Sequence, residues 1–275
     1  MLKKQRAFLK WAGGKYSLVE PILSLLPKRA DVLVEPFVGA GSVFLNSHYK
    51  KFILNDINPD LIALYQHLQQ QPENLIAETQ KLFTEKYNQE DAYYEIRKSF
   101  NQEKNSFNRS ILFIYLNRHG YNGLCRYNLS GGFNVPFGRY VKAYFPEEEM
   151  RFFSQKSQNA EFTCVDFETC MSSAPKGAVI YCDPPYVSLS DTAKFTQYAA
   201  KGFSAADQQR LADTAHHLAD KQLNNVLISN HDTPQSQQLY RHAKVSKHKV
   251  ARMISRDTLK RNAVNEVLAL YKVKR

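Results

Sequence analysis

Asp183-Pro184-Pro185-Tyr186 follows the apolar run Ala178-Val179-Ile180-Tyr181-Cys182, so a carboxylate, two prolines and an aromatic stand where a buried strand must stop. Neither proline can donate to a sheet ladder, and each fixes its own φ. The turn gathers a side-chain acceptor, free carbonyls and a flat ring around one small planar space. Those groups suit the grip of an exocyclic amino group on a base. Such a nitrogen is conjugated and a poor nucleophile. Hydrogen bonds from it to Asp183 and to the Pro184 carbonyl favour a pyramidal nitrogen with an available lone pair, an activation realised only near a transition state. Tyr186 would stack on the base through its ring rather than its hydroxyl. The same four residues can also cap a strand and do nothing more.

A second segment, Val34-Glu35-Pro36-Phe37-Val38-Gly39-Ala40-Gly41-Ser42, reads as strand, glycine turn and helix start. That arrangement lets backbone N–H groups approach a ligand closely. The pattern Phe-x-Gly-x-Gly lacks the third glycine of the dinucleotide fingerprint and by itself also describes an ordinary tight turn. Asp56 lies 17 residues beyond Gly39, near the spacing at which an acid meets a ribose. Asp166-Phe167 follows another strand signal; an Asp can accept from an adenine amino group while a Phe packs on the ring. Together these residues match an adenosine-containing ligand as well as a phosphate-bearing one.

The elements that must position these residues alternate. Asp31–Glu35, Lys51–Asp56, Phe162–Val165, Ala178–Cys182 and Asn225–Ser229 read as strands, and Val264–Val273 as a strand closing the sheet at its edge. Asp207–Leu218 is an amphipathic helix. Strands alternating with helices predict an α/β fold with a mostly parallel, doubly wound sheet. Between 58 and 146 the character changes. Leu61–Leu68 and Tyr93–Arg97 read as helical, Ser110–Asn117 as a buried helix, and Arg118–Tyr144 as a loop crowded with Gly, Asn, Arg and Tyr. A loop that long carries function more often than it merely connects. The chain divides into a ligand-binding domain, 1–57 with 147–275, and a mainly helical recognition insert, 58–146.

Composition sets the outer limits. A chain of 275 residues can bury a sizeable core. A formal charge of +11 favours a polyanionic partner, although charge alone also fits an ordinary basic enzyme. Cys125, Cys164, Cys170 and Cys182 show no C-x-x-C pairing, which predicts buried free thiols rather than zinc or disulfides. No metal site is visible, and no apolar run is long enough for a membrane span or a signal peptide.

The sequence resembles the Dam-type DNA adenine-N6 methyltransferases nearly end to end. The resemblance is carried by Phe8-Leu9-Lys10-Trp11-Ala12-Gly13-Gly14-Lys15-Tyr16, by Glu35 to Phe44, by Leu116-Asn117-Arg118 through Tyr140, by Asp183 to Tyr186 and by Ser229-Asn230-His231-Asp232. The glycine motif, the insert and then Asp-Pro-Pro-Tyr is the family's alpha arrangement. The resemblance implies S-adenosylmethionine as donor, with S-adenosylhomocysteine as product and no metal. It implies adenine in double-stranded GATC as acceptor. Trp11, Lys15, Phe37 and Gly39 would contact the cofactor, Asp56 its ribose, Asp166 and Phe167 its adenine. Asp183 would stand near the donor and grip the target N6. In the insert, Tyr121 would wedge into the base stack and Asn122 would meet the partner of the flipped adenine. Leu124 and Pro136 would pack on a thymine methyl, Arg126 would read a guanine edge, and Lys10 with Tyr140 would contact the outer guanine pair. Apart from the resemblance, Arg139 of the same loop is a candidate phosphate contact. These roles agree with the need to swing a base out of the duplex and with the known preference of Arg for guanine.

One region departs from the family's pattern. The basic stretch Arg241 to Arg261 carries Ser255-Arg256-Asp257-Thr258-Leu259-Lys260-Arg261-Asn262 where a glycine-containing loop is usual. It reads equally as a phosphate contact and as a solvated hairpin. The alternatives to GATC methylation are a methylase of another base or sequence in a restriction-modification system, a protein glutamine methyltransferase, and a DNA-binding regulator without turnover. Asp183 argues against the glutamine enzymes, which usually carry Asn-Pro-Pro-Tyr. The expected form is a monomer in a bacterial cytoplasm, of host or phage origin, with no membrane partner.

Overall fold

The computed structural model describes residues 4–187, 202–250 and 264–273. Helix α1 (Val19–Leu25) leads to strand β1 (Val32–Glu35), the glycine turn, helix α2 (Ser42–Asn46) and strand β2 (Lys51–Asn55). Five helices follow without an intervening strand: α3 (Pro59–Gln70), α4 (Pro72–Gln80), α5 (Glu90–Gln102), α6 (Ser106–His119) and α7 (Glu147–Ser157). Strand β3 (Ala160–Thr163), helix α8 (Phe167–Ser172), strand β4 (Val179–Cys182), helix α9 (Ala205–Lys221), strand β5 (Asn225–His231) and helix α10 (Pro234–Leu239) return to alternation. Strands β6 (Lys244–Val250) and β7 (Val264–Tyr271) end the chain.

The sheet order is β3-β2-β1-β4-β5-β7-β6. The first five strands are parallel, and β7 runs antiparallel to both of its neighbours. The fold is thus α/β with a mostly parallel, doubly wound sheet. The edge assignment is corrected: β7 is interior and β6 is the edge. Strand β7 pairs with β5 on one side and with β6 on the other, and Val267 to Leu270 are consecutively buried because both faces are covered, whereas Lys244, Val245, Lys247 and Lys249 of β6 are exposed. A lysine-rich edge discourages further strand pairing. Of the basic stretch, residues up to Val250 form this strand and the turn before it, and 251–261 lie outside the described residues.

Winding reverses between β1 and β4, so the crevice expected of such a sheet opens at their carboxyl ends. Because five strands are parallel, the acids that close them meet at one edge. Glu35 ends β1, Asp56 follows β2, Asp166 follows β3 and Asp183 follows β4. Every residue of β4 is buried, and a strand so placed can stop abruptly only where hydrogen bonding is refused, as at Pro184 and Pro185.

The sheet separates two apolar clusters. One holds Phe8, Phe44, Tyr65 and Phe153 and runs without a break into Phe100 and Phe113 of α5 and α6. The other packs Phe167, Leu211 and Tyr240 on the opposite face. Asn58 caps α3 by accepting from the amides of Asp60 and Leu61, with Pro59 in the first turn. Asp60 then takes both Nε and Nη2 of Arg109 at 2.9 and 2.8 Å, and the Tyr127 hydroxyl at 2.7 Å. This network fastens the long loop to the helices.

Arg109→Met should therefore lower stability by about 3 kcal/mol, because a half-buried carboxylate loses its cation. The urea midpoint measures it; an unchanged midpoint would show that Asp60 does not depend on Arg109.

Candidate active site and nucleic-acid interface

Asp183 stands half-buried beyond β4. Its Oδ1 meets Lys15 Nζ at 3.0 Å and accepts from Ser229 Oγ at 2.9 Å. Among the described residues Oδ2 has no partner. The carbonyl of Pro185 accepts from Gln208 Nε2 at 2.7 Å, whereas that of Pro184 meets no donor among the described residues. The turn thus keeps two acceptors, one on Asp183 and one on Pro184. Lys15 is buried, and its ammonium lies 4.6 Å from the centre of the Tyr186 ring. The sequence marks Ser229 only as part of a motif; its contact with Asp183 arises because β5 lies beside β4.

The glycine turn lies next to this group. Gly39 has φ 46° and Gly41 φ 71°, both in the left-handed region. A Cβ at Gly39 would come 2.9 Å from Trp11 Nε1, so Trp11 packs directly on the turn. The Gly39 amide donates to Asp56 Oδ2 at 3.1 Å, and the Asn58 amide to Asp56 Oδ1 at 3.0 Å. Burial pushes the Asp56 carboxyl up to about 6, against the pull of the Asn58, Gly39 and Ile57 amides. Helix α2 is only five residues long, so the turn's own amides, rather than a helix dipole, are what this segment offers.

Glu35 is the residue that sequence reading passed over. It is 2 % exposed, and its Oε1 is buried without a partner among the described residues. Burial pushes its carboxyl up to about 8, opposed by the Phe44 amide and reinforced by the charge of Asp183.

Asp166 is half-exposed and Phe167 is buried, and both already have partners within the chain. Asp166 caps α8 and receives Arg210 through Nη1 at 2.8 Å and Nη2 at 3.0 Å. Phe37 stacks on Phe167 at 5.4 Å, Phe203 lies tilted at 5.5 Å, and the Arg210 guanidinium covers the Phe167 ring at 4.3 Å. Arg210 had no motif to announce it. Of the thiols, Cys125, Cys170 and Cys182 are buried, but Cys164 is exposed, contrary to expectation, because it follows the last residue of β3.

The long loop folds back on itself through bridges Gly120↔Phe137 and Tyr127↔Phe133. The Lys10 backbone is clamped to α6 by Asn117, which accepts from its amide at 2.9 Å and donates to its carbonyl at 2.7 Å. Lys10 Nζ then lies 3.7 Å above the Tyr140 ring, and the Tyr140 hydroxyl accepts from the Asn122 amide at 3.0 Å. Lys10, Asn122 and Tyr140 are therefore one cluster. Gly123, at φ 61°, packs so closely on Lys10 that a Cβ would collide with it. Burial, then the charge of Arg118, brings the Lys10 amine down to about 8. Tyr121 is exposed and its amide donates to the Pro136 carbonyl at 2.9 Å. Pro136 is exposed beside it, while Leu124 is half-buried against the core. Arg126 is braced by Asn134 through Nε at 2.7 Å and Nη2 at 3.1 Å. Arg139 is exposed, with a loose 3.4 Å contact to Glu90.

Comparison with known proteins places these motifs in context. The family of D12 class N6 adenine-specific DNA methyltransferases matches residues 11–254. A DNA adenine methylase of Serratia marcescens is 54% identical over 271 residues, covering 98% of this chain and 100% of its own. One from Vibrio cholerae is 53% identical over 270 residues, covering 98% and 97%. One from Escherichia coli K12 is 50% identical over 271 residues, again covering 98% and 97%.

The Glu35 carboxyl titrates higher in the folded chain, at about 8 against an ordinary 4.5, so the folded state holds its proton longer. Its contribution is fully present below pH 4.5 and is lost as pH rises through 8. Glu35→Gln should remove a loss on the order of a few kcal/mol over that window. Urea midpoints at pH 5 and pH 8.5 test this: the variant should gain on the wild type at the higher pH, and parallel profiles would contradict it.

Proposed function

The chain belongs to the family of D12 class N6 adenine-specific DNA methyltransferases, and on that premise we propose that it methylates adenine N6 within double-stranded GATC. The observation that carries the chemical reading is Asp183. One of its oxygens is occupied by Lys15 and Ser229, while the other and the Pro184 carbonyl meet no donor among the described residues. Two fixed acceptors are what an amino group with two hydrogens requires. Asp183 Oδ2 and the Pro184 carbonyl draw those hydrogens to one side, and the nitrogen lone pair rises on the other. Oδ2 is also the atom placed to take the proton that the methylated nitrogen gives up. Tyr186 stacks on the base.

The residues around the glycine turn fit S-adenosylmethionine. A Glu35 oxygen buried without a partner among the described residues suits a hydrogen-bond donor of the ligand, Asp56 suits ribose hydroxyls, and the left-handed turn under Trp11 admits close backbone approach. When bound, the cofactor supplies a methyl on a sulfonium and departs as S-adenosylhomocysteine. Lys15, Phe37 and Gly39 complete its surroundings. Asp166 meets the adenine amino group with the capacity left to it beside Arg210, and Phe167 backs that site.

Reading of the sequence falls to residues 58–146 together with Lys10. An adenine inside a duplex is out of reach, so it is swung out, and the exposed Tyr121 ring fills the gap opposite the orphaned base that Asn122 meets. Asn134 leaves donors of Arg126 free for a guanine edge, while Leu124 and Pro136 flank a thymine methyl. Lys10 over Tyr140 addresses the outer guanine. Arg139 holds a phosphate.

Methyl-labelled S-adenosylmethionine with a panel of duplexes at fixed salt tests the reading. Label should enter adenine of GATC, and Arg126→Ala should lose about 1–3 kcal/mol of discrimination at one guanine position, whereas Arg139→Ala lowers all substrates alike. Labelled cytosine, or equal labelling without GATC, would refute the substrate; a common loss on every duplex for Arg126→Ala would make that residue a phosphate contact.

A further inference from the structure

The Tyr186 hydroxyl, expected to be idle, is bound. It donates to Glu266 Oε2 at 2.7 Å across 80 residues of sequence. Glu266 lies on β7 in register with His231 of β5 on one side and His248 of β6 on the other. The His231 ring meets the Tyr186 ring edge-on at 4.7 Å, and its Nδ1 lies 2.9 Å from the Val187 carbonyl. Lys15 stands over the ring and also reaches Asp183. The ring is thus held from three directions: its tip by a carboxylate, its surface by an ammonium and its side by an imidazole.

We propose that Glu266 is a positioning residue for methyl transfer. Its carboxylate fixes the tip of Tyr186, so that the ring presents the target base to Asp183 and the Pro184 carbonyl at one height. The inference rests on the reading that Tyr186 stacks on the displaced adenine. A hydroxyl tethered to a charged acceptor fixes the swing of the side chain far more firmly than packing on a half-buried site. Misplacing a base by a fraction of an ångström is enough to slow the reaction without weakening the grip on DNA, because the phosphate and groove contacts lie elsewhere.

The test is single-turnover methylation of GATC duplex, read beside DNA affinity and the fluorescence of 2-aminopurine at the target position with S-adenosylhomocysteine present. Glu266→Ala and Tyr186→Phe should each slow the chemical step by about 10- to 100-fold, the weight of one charged hydrogen bond. Their DNA affinities should stay within about twofold of wild type, since neither touches a phosphate. Both should change the 2-aminopurine signal in the same way. The double variant should be no slower than either single one, because one bond is lost in all three. Glu266→Gln keeps an acceptor of the same shape and should recover most of the rate. Tyr186→Phe leaves β7 untouched, so a folding defect in Glu266→Ala cannot hide the answer. A wild-type rate for Glu266→Ala or Tyr186→Phe, or multiplicative losses in the double variant, would overturn the inference. Tyr186→Ala separates the two levels: a large loss there with none in Glu266→Ala refutes Glu266 alone, whereas a wild-type rate for Tyr186→Ala refutes the stacking role itself.

Discussion

The ion pair between Lys15 and Asp183 is the constraint on which the rest of the site depends. A buried ammonium 3.0 Å from a half-buried carboxylate is tolerable only while both remain together, since removing either leaves a charge without compensation. The pair also joins distant parts of the chain. Lys15 belongs to the N-terminal segment that runs from Phe8 over α6, and Asp183 closes β4 at the centre of the sheet. The same ammonium reaches the Gly13 carbonyl and the Tyr186 ring. Fixing Lys15 therefore fixes the entry of the chain, the carboxylate and the aromatic together.

The long loop after α6 depends on the same N-terminal segment. Five residues before Lys15, the Lys10 backbone is clamped by Asn117, and its side chain reaches the Tyr140 ring. Lys10 and Lys15 thus tie the insert and the sheet edge to one short stretch of backbone. The continuous apolar cluster beneath, from Phe44 to Phe113, makes the two regions one packed body. The long loop that follows α6 is in turn fastened by Asp60, Arg109 and Tyr127, next to the segment that carries Asp56. The loop and the sheet edge thus share a frame at several points.

What could be read from sequence was what local chemistry dictates. Asp183 to Tyr186 was legible because proline cannot continue a buried strand. The glycine turn was legible because its neighbours are an apolar run and an acid at a telling distance. Alternation of strands and helices disclosed the parallel sheet. The rest depends on pairing over long sequence separations. Glu266 and Arg210 reach Tyr186 and Asp166 across 80 and 44 residues, and nothing near either residue marks it. The interior place of β7 was hidden because an apolar strand looks alike inside a sheet and at its rim; the lysines of β6 decide which is which. Asp166 and Phe167 follow β3, but the packing of Phe37, Phe203 and Arg210 around the Phe167 ring and the hold of Arg210 on Asp166 belong to tertiary structure alone.

The proposed chemistry depends on Asp183 as the acceptor that activates the amino group. Single-turnover methylation by Asp183→Ala, with duplex affinity measured on the same preparation, addresses this directly. The rate should fall by at least about 10³-fold, as it does when a fixed electrostatic partner of a transition state is removed, while the duplex remains bound with near wild-type affinity. A variant that still methylates GATC at close to the wild-type rate would remove Asp183 from the chemistry and leave the ion pair with Lys15 as a purely structural contact.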